Sequence, residues 1–219
     1  HPFDQLTPDF IMDAVESLGY ACDCRTFALN SYENRVYQVG LEDNEPLIVK
    51  FYRPDRWTDR QIQEEHQLCF ELEEQELPVV APILTPDKNS VFEYRDFKFA
   101  LFPRKGGHAP EFDNDNNLLI IGRLLGRMHR IGSSRPFLHR PTISIEKYGH
   151  ESVALIQSQF IPNDYRESYE ILTNELLQKI SAIFEDANNI KNIRVHGDCH
   201  AGNMLWRDDN PHFVDFDDA

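Results

Sequence analysis

The run His196-Gly197-Asp198-Cys199-His200-Ala201-Gly202-Asn203 and the nearby Val214-Asp215-Phe216-Asp217 crowd carboxylate, imidazole and amide groups into one short stretch. Such groups suit phosphoryl transfer from a nucleoside triphosphate, which asks little covalent work of a protein. It asks for one carboxylate to orient an acceptor hydroxyl and for magnesium to neutralise phosphate charge. Asp198 is the candidate proton acceptor. Asn203 and Asp215 are the candidate metal ligands, since magnesium is a hard octahedral ion that takes few protein oxygens and completes its shell with phosphates and water. Each of these residues taken singly is an ordinary turn residue. The joint pattern, with Phe216 directly after Asp215, is what points to chemistry.

From His196 to Asn203 the chain has the H-x-D-x-x-x-x-N spacing of a kinase catalytic loop, and Asp215 follows a short β-prone segment (Pro211 to Val214) where the D-F-G aspartate would fall. That chemistry also needs a lysine for the nucleotide phosphates and a helical glutamate to hold it. Leu47-Ile48-Val49-Lys50 is an apolar strand ending in lysine. Thr58 with Gln61 three residues later is a capping box that opens a helix running to about Glu76. Glu64 and Glu65 both lie in that helix, and Glu65 is favoured because Leu72, one face-repeat later, gives it a core-facing neighbour. No G-x-G-x-x-G is present. The loop Asn30-Ser31-Tyr32-Glu33-Asn34 takes its place, where Ser31 offers a hydroxyl and local N–H groups to phosphate, or is simply part of a hairpin turn.

The elements that must position these residues follow from periodicity. Thr7-Pro8 starts a helix that Gly19 stops, with Phe10, Ile11, Ala14, Val15 and Leu18 at helical spacing. Strands are expected around Arg25 to Leu29, Arg35 to Val39 and Leu47 to Tyr52, then Val91 to Tyr94 and Phe97 to Phe102 as a hairpin about Arg95-Asp96. Pro103 to Pro110, with Gly106 and Gly107, is the best linker candidate. Beyond it, Leu118 to His129 reads as a helix, residues around Pro136 and Pro141 as a loop, and Asp164 to Phe184 as a long helix. This gives an α+β chain: residues 1–102 as a nucleotide-binding lobe of sheet plus helix, residues 103–219 as a mostly helical lobe with the catalytic and metal-binding loops. Phe102-Pro103 is then, by position, the junction where adenine meets backbone.

Composition narrows the partners. Of the 219 residues, 41% are hydrophobic and 27% charged, the balance of an ordinary globular protein, and no apolar run is long enough to span a membrane. No signal peptide is visible, and His1 in place of Met points to a trimmed N-terminus. The net charge of −15, with no basic run, argues against nucleic acid. Cys22 and Cys24 form a lone C-x-C, and Cys69 sits among apolar residues as a buried thiol would, so a reduced cytoplasm is expected.

With these residues in hand, the chain resembles the aminoglycoside phosphotransferase and choline kinase superfamily, through His196-Gly197-Asp198-x-His200-x-x-Asn203 and through Asp215-Phe216-Asp217-Asp218 in place of D-F-G. Asn30 to Tyr37, Val49 to Pro54, His139-Arg140-Pro141-Thr142-Ile143 and Leu205-Trp206-Arg207-Asp208 are similar to its bacterial stress response kinase branch. The resemblance implies a two-lobed, protein-kinase-like fold and a cytoplasmic serine/threonine protein kinase, ATP- and magnesium-dependent; a monomer is expected. It implies Asp198 as proton acceptor, Asn203 and Asp215 as metal ligands and Ser31 as an ATP-loop contact, beside the Lys50 already read as meeting the phosphates and the Glu65 that pairs with it. His196 would brace the loop, and Asp217 would either join the metal site or be an exposed structural residue. Proteins of this kind continue well past the position of Ala219, so the lower lobe is expected to be incomplete here.

Four other readings compete. The same fold serves small hydroxylated acceptors such as amino alcohols, amino acids or sugars. Asp215-Phe216-Asp217 mimics the D-x-D of a phosphatase of the haloacid dehalogenase type, which leaves Lys50 and the His196 to Asn203 loop without a role. His196, Cys199 and His200 have zinc-ligand types, but Gly197 breaks any helix that would align them and no fourth ligand is in sight. A nucleotide-binding scaffold without catalysis would bind ATP whether or not Asp198 is present.

Overall fold

Residues 2–187, 190–208 and 210–219 are described by a computed structural model of the chain. β1 (Cys22–Leu29), β2 (Arg35–Leu41), β3 (Leu47–Phe51), β4 (Phe92–Tyr94) and β5 (Phe97–Pro103) form an antiparallel sheet in the order β1-β2-β3-β5-β4. Strand β3 is central. Its Leu47, Val49 and Phe51 enter one core, and between them Lys50 pairs with Val36 on β2 and Ala100 on β5. The β4–β5 turn is Arg95-Asp96, with Arg95 at φ 53°, the left-handed conformation that a tight hairpin demands. Helix α1 (Pro8–Glu16) is capped by the Thr7 hydroxyl, which accepts from the Phe10 N–H at 3.3 Å. It buries Phe10, Ile11, Ala14 and Val15 in the core formed with the sheet, where the Phe10 ring meets Phe97 edge-on.

Helix α2 (Asp59–Glu74) opens with the expected capping box: Thr58 Oγ1 accepts from the Gln61 N–H, and Gln61 Oε1 accepts from the Thr58 N–H at 2.9 Å. It stops two residues earlier than expected, with Glu76 in the left-handed region at φ 57°. Ile62, Glu65, His66, Leu68, Cys69 and Leu72 make its buried stripe. Leu68, Cys69 and Leu72 pack with Ile121 and Met128 of α3 (Asp115–Gly132), with Met204 and Trp206 of β6 (Met204–Arg207) and with Phe213 of β7 (Asn210–Phe213). Each fully buried Leu in such a core contributes about 1.5–3 kcal/mol. One helix thus fixes both the lysine strand, through Glu65, and the β6–β7 hairpin that follows the His196 to Asn203 loop. Helix α3 starts earlier than its apolar run suggests, because Asn114 caps it by accepting from the Asn116 N–H.

The approach to the His196 to Asn203 loop is pinned to the end of α3. Gly132 and Arg194 touch backbone to backbone, with the Arg194 N–H donating to the Gly132 carbonyl at 3.2 Å. A β-carbon on Gly132 would sit 2.0 Å from the Arg194 oxygen, so only glycine fits. The buried Arg194 guanidinium also bonds Glu71 Oε2 of α2 at 2.7 Å.

Two compact units emerge: residues up to Arg140 together with Ile193–Ala219, and Pro141–Asn192. The second contains a π-helical turn at Glu146–Glu151, α4 (Ser152–Gln159) and α5 (Arg166–Asp186). Residues 134–144 form the expected loop, and residues 146–159 are helical where the sequence pattern assigns no element. Neither the π-helical turn nor α4 buries any of its residues, so no apolar stripe betrays a helix there. No helix among the described residues is long and apolar enough to cross a membrane.

Candidate active site

Lys50 is only 5% exposed, yet it is surrounded by charge. Its ammonium lies 3.4 Å from Glu65 Oε1 and 3.2 Å from Asp215 Oδ1, and it donates to Asp217 Oδ1. Burial works against the ammonium, but the Asp217 and Glu65 carboxylates more than offset that and hold its pKa well above the ordinary lysine range. Of the two candidate glutamates it is Glu65 that faces Lys50. Glu64 points the other way and accepts from the backbone N–H groups of Leu138, His139 and Arg140.

Asp217 is not an exposed structural residue: it is 8% exposed and bonded to both Lys50 and the Asn34 amide. The sequence could not reveal this, because Asn34 and Asp217 lie 183 positions apart. Burial and the neighbouring Glu65 and Asp215 push the Asp217 carboxyl up, against the pull of Lys50. Asp215 is half exposed and goes the other way. Its own burial opposes ionisation, but Lys50 and a hydrogen bond with Asp217 hold it below the usual carboxylate range. Asp215 has φ 62°, left-handed for a non-glycine residue, a cost of order 1–3 kcal/mol that the surroundings must sustain.

Asp198 sits on the open side, its side chain 53% exposed. The Asn203 amide donates to the Asp198 carbonyl at 2.9 Å and to Asp198 Oδ2 at 3.3 Å, and His200 Nε2 is 3.5 Å from the same carboxylate oxygen. The Val214 N–H donates to the Asn203 carbonyl at 3.0 Å, which ties the loop to the residue before Asp215. His196 braces this arrangement as expected. It is buried, its Nε2 bonds the Val214 carbonyl at 2.9 Å, and its ring lies against Phe216 with centroids 4.3 Å apart. Burial pushes its imidazole pKa down, so the neutral ring donates to that carbonyl. Gly197 at φ 84° lets the chain turn here, where a β-carbon would strike the Asp218 carbonyl.

A cavity of about 280 Å³ joins these groups. Leu29, Val36, Ile48, Phe102 and Leu205 give it apolar walls, while Lys50, Glu65, Asn203 and Asp215 give it a polar end. Asp198 lies outside this lining. Ser31 is engaged locally: its hydroxyl accepts from the Val36 N–H at 3.3 Å and donates to the Leu29 carbonyl at 3.4 Å, the bonding of a hairpin turn. Asn30 beside it lines the cavity.

Three carboxylates (Glu65, Asp215 and Asp217) face one ammonium, with Arg140 next nearest at 3.6 Å from Glu65 Oε2. No group of three or more His, Cys, Asp or Glu among the described residues is placed to hold a metal ion by itself. Asp215 and the Asn203 amide oxygen are accessible donors of the type a hard divalent cation takes when phosphates and water complete its shell.

Residues 25–219 match the phosphotransferase enzyme family. Over 218 residues, 99% of this chain, the sequence is 44% identical to stress response kinase A of Escherichia coli K12 and 42% identical to serine/threonine protein kinase RdoA of Salmonella typhimurium. The chain spans 65% of the length of these relatives. A solved structure of amicoumacin kinase hAmiN, in complex with AMP-PNP, Ca2+ and Ami, superposes with a TM-score of 0.74 at 19% identity, over 99% of this chain and 65% of that one. At that identity the likeness speaks for the fold.

Proposed function

This chain belongs to the phosphotransferase enzyme family, shares its protein-kinase-like α+β fold, and on that premise we propose that it carries the nucleotide and catalytic residues of an ATP- and magnesium-dependent serine/threonine protein kinase. The single observation that carries the reading is the convergence of Lys50, Glu65, Asn203 and Asp215 on one cavity, with Asp198 bonded to Asn203 at its open side.

The upper lobe runs to about Phe102 and the lower lobe starts at Pro103. ATP lies with its adenine between Leu29, Ile48 and Leu205, near the Phe102-Pro103 backbone, and its phosphates toward Lys50. Glu65 keeps Lys50 aimed at them. Asn203 and Asp215 hold magnesium, which when bound offsets the phosphate charge. Asp217 and the buried Asn34 fix the end of Lys50 and the turn that carries Ser31. Asp198 accepts the proton of the acceptor hydroxyl as the γ-phosphoryl group is transferred. Its exposure leaves room for an incoming side chain.

The acceptor is a protein serine or threonine, as the name of the Salmonella relative states for that protein. The net charge of −15 favours a basic substrate segment and disfavours nucleic acid. The four free cysteines suit a reduced cytoplasm, where the protein would act as a monomer in a stress response. The likeness to amicoumacin kinase favours one second reading, a small hydroxylated acceptor on the same machinery.

The test uses the whole protein, ATP labelled at the γ-phosphate, magnesium, a basic protein substrate, and a panel of amino alcohols and aminoglycosides. Label on protein serine or threonine is the expected result. Label on a small molecule alone would transfer the assignment to the second reading, and no label with ATP still bound would leave a scaffold.

A further inference from the structure

The structure assigns Arg140 a role of its own: we propose that it is a positioning residue that locks Glu65 to the Asp215–Asp217 loop, on a segment that Glu64 holds in place. The proposal rests on the reading of Asp215 and Asn203 as the metal site.

The Arg140 side chain is fully buried, and its donors diverge onto separate pieces of chain. Nη1 donates to the Gln61 carbonyl of α2 at 3.0 Å and stands 3.6 Å from Glu65 Oε2. Nη2 donates to the Asp217 carbonyl, and Nε to the Ala219 carbonyl at 2.6 Å. The flat face of the guanidinium covers Trp57, 4.4 Å from the ring centroid. Glu65 Oε2 has no hydrogen-bond partner among the described residues, so Arg140 is the cation beside that oxygen while Lys50 serves the other. Glu65 therefore lies between two cations, one aimed at the phosphates and one tied to the loop after Asp215.

The segment that presents Arg140 is itself gripped. Glu64 Oε1 accepts from the Leu138 N–H at 2.6 Å, and Oε2 from the His139 and Arg140 N–H groups at 2.9 and 3.0 Å. Adjacent glutamates on α2 thus hold one segment from two sides, Glu64 by its backbone and Glu65 by its guanidinium. A rigid planar fork is needed for this. A lysine could keep the charge beside Glu65 but could not reach the Gln61, Asp217 and Ala219 carbonyls together. Without the fork, the loop carrying Asp215 loses its tether to the helix carrying Glu65. The defect should appear where both act, in metal-assisted phosphate binding, and spare the adenine end of the cavity.

The experiment compares the whole wild-type protein with Arg140→Lys, Arg140→Ala, Glu64→Ala and the Glu64→Ala/Arg140→Ala double variant. Circular dichroism and thermal unfolding report folding, and a fluorescent ATP analogue reports nucleotide affinity with and without magnesium. Arg140→Lys should fold and bind nucleotide without metal within about twofold of wild type. Its magnesium half-saturation should rise about 10–100-fold, the usual range for residues that orient metal ligands. Glu64→Ala should shift the same quantity less, and the double variant should be no worse than Arg140→Ala, as one device requires. If Arg140→Ala does not fold, Arg140→Lys and Glu64→Ala decide. An unshifted magnesium response in folded Arg140→Lys, or equal weakening with and without metal, overturns the proposal and leaves the metal site standing. A wild-type protein whose nucleotide binding ignores magnesium overturns both.

Discussion

Lys50 and Asp198 belong to one site but are built in opposite ways. Lys50 lies inside the protein, 5% exposed, with its ammonium against Glu65, Asp215 and Asp217. Asp198 projects from a loop, half exposed, and among the described residues its carboxylate meets the Asn203 amide and the edge of His200. The end proposed for the phosphates thus has its lysine buried and ion-paired without any ligand. The end proposed for the acceptor is left open. Preorganised charge in a water-poor setting is where electrostatic stabilisation is largest, whereas an acceptor must come and go. Changes at the first end should therefore cost stability as well as function, and changes at the second should cost function alone.

The sharpest way to break that comparison is Lys50→Met. Removing the ammonium leaves buried carboxylates without their partner, a loss of about 3–5 kcal/mol for breaking such a pair. Urea unfolding should show it, together with weakened nucleotide binding. A loss below about 1 kcal/mol would mean that the cluster is more hydrated than its burial indicates.

A second test uses pH. His66, buried behind Lys50 between the Tyr52 and Ser90 hydroxyls, has its imidazole pushed down to about 4 by desolvation. The unfolded chain takes up that proton nearer the ordinary value of 6.5. Stability from the neutral ring is therefore complete above 6.5 and lost as pH falls toward 4. Between pH 7 and pH 5 the contribution should drop by roughly 2 kcal/mol, at about 1.4 kcal/mol per pH unit of displacement. His66→Gln should remove this part of the slope of unfolding free energy against pH; an identical slope in both proteins would contradict a dry Lys50 surround.

The smallest expected effect is at the start of α2. Thr58→Ala removes one arm of the capping box and should cost about 1 kcal/mol of stability, measurable as a lower thermal midpoint. Transfer should stay within about twofold, since the cavity-lining Glu65 is held by Lys50 and Arg140 and not by the helix end. A large loss of transfer would show that α2 is positioned from its terminus.

Much of this was legible in the sequence because it is local. The His196 to Asn203 spacing, the apolar strand ending in Lys50 and the Thr58–Gln61 capping box each lie within a few residues, and local chemistry fixes them. The contacts that organise the site are not local. Asn34 meets Asp217 across 183 positions and Arg140 meets Asp217 across 77, so neither the burial of Asp217 nor the role of Arg140 leaves a mark in spacing. His139-Arg140 was visible only as part of a resemblance, with no chemistry attached. Ser31, for which the sequence leaves a phosphate contact or a hairpin turn open, bonds the Val36 N–H and the Leu29 carbonyl within the turn. α4 escaped because periodicity detects a buried stripe, and that helix buries none of its residues.

The most direct test of a preformed phosphate end beside an open acceptor end is Asp198→Asn in the whole protein, with nucleotide affinity, thermal midpoint and phosphoryl transfer measured together. Replacing one exposed oxygen by an amide should leave the first two at wild-type values and lower transfer by about 10²–10⁴-fold, the range for a positioned general base. Transfer within a few-fold of wild type, or a loss of nucleotide binding as large as the loss of transfer, would contradict the account.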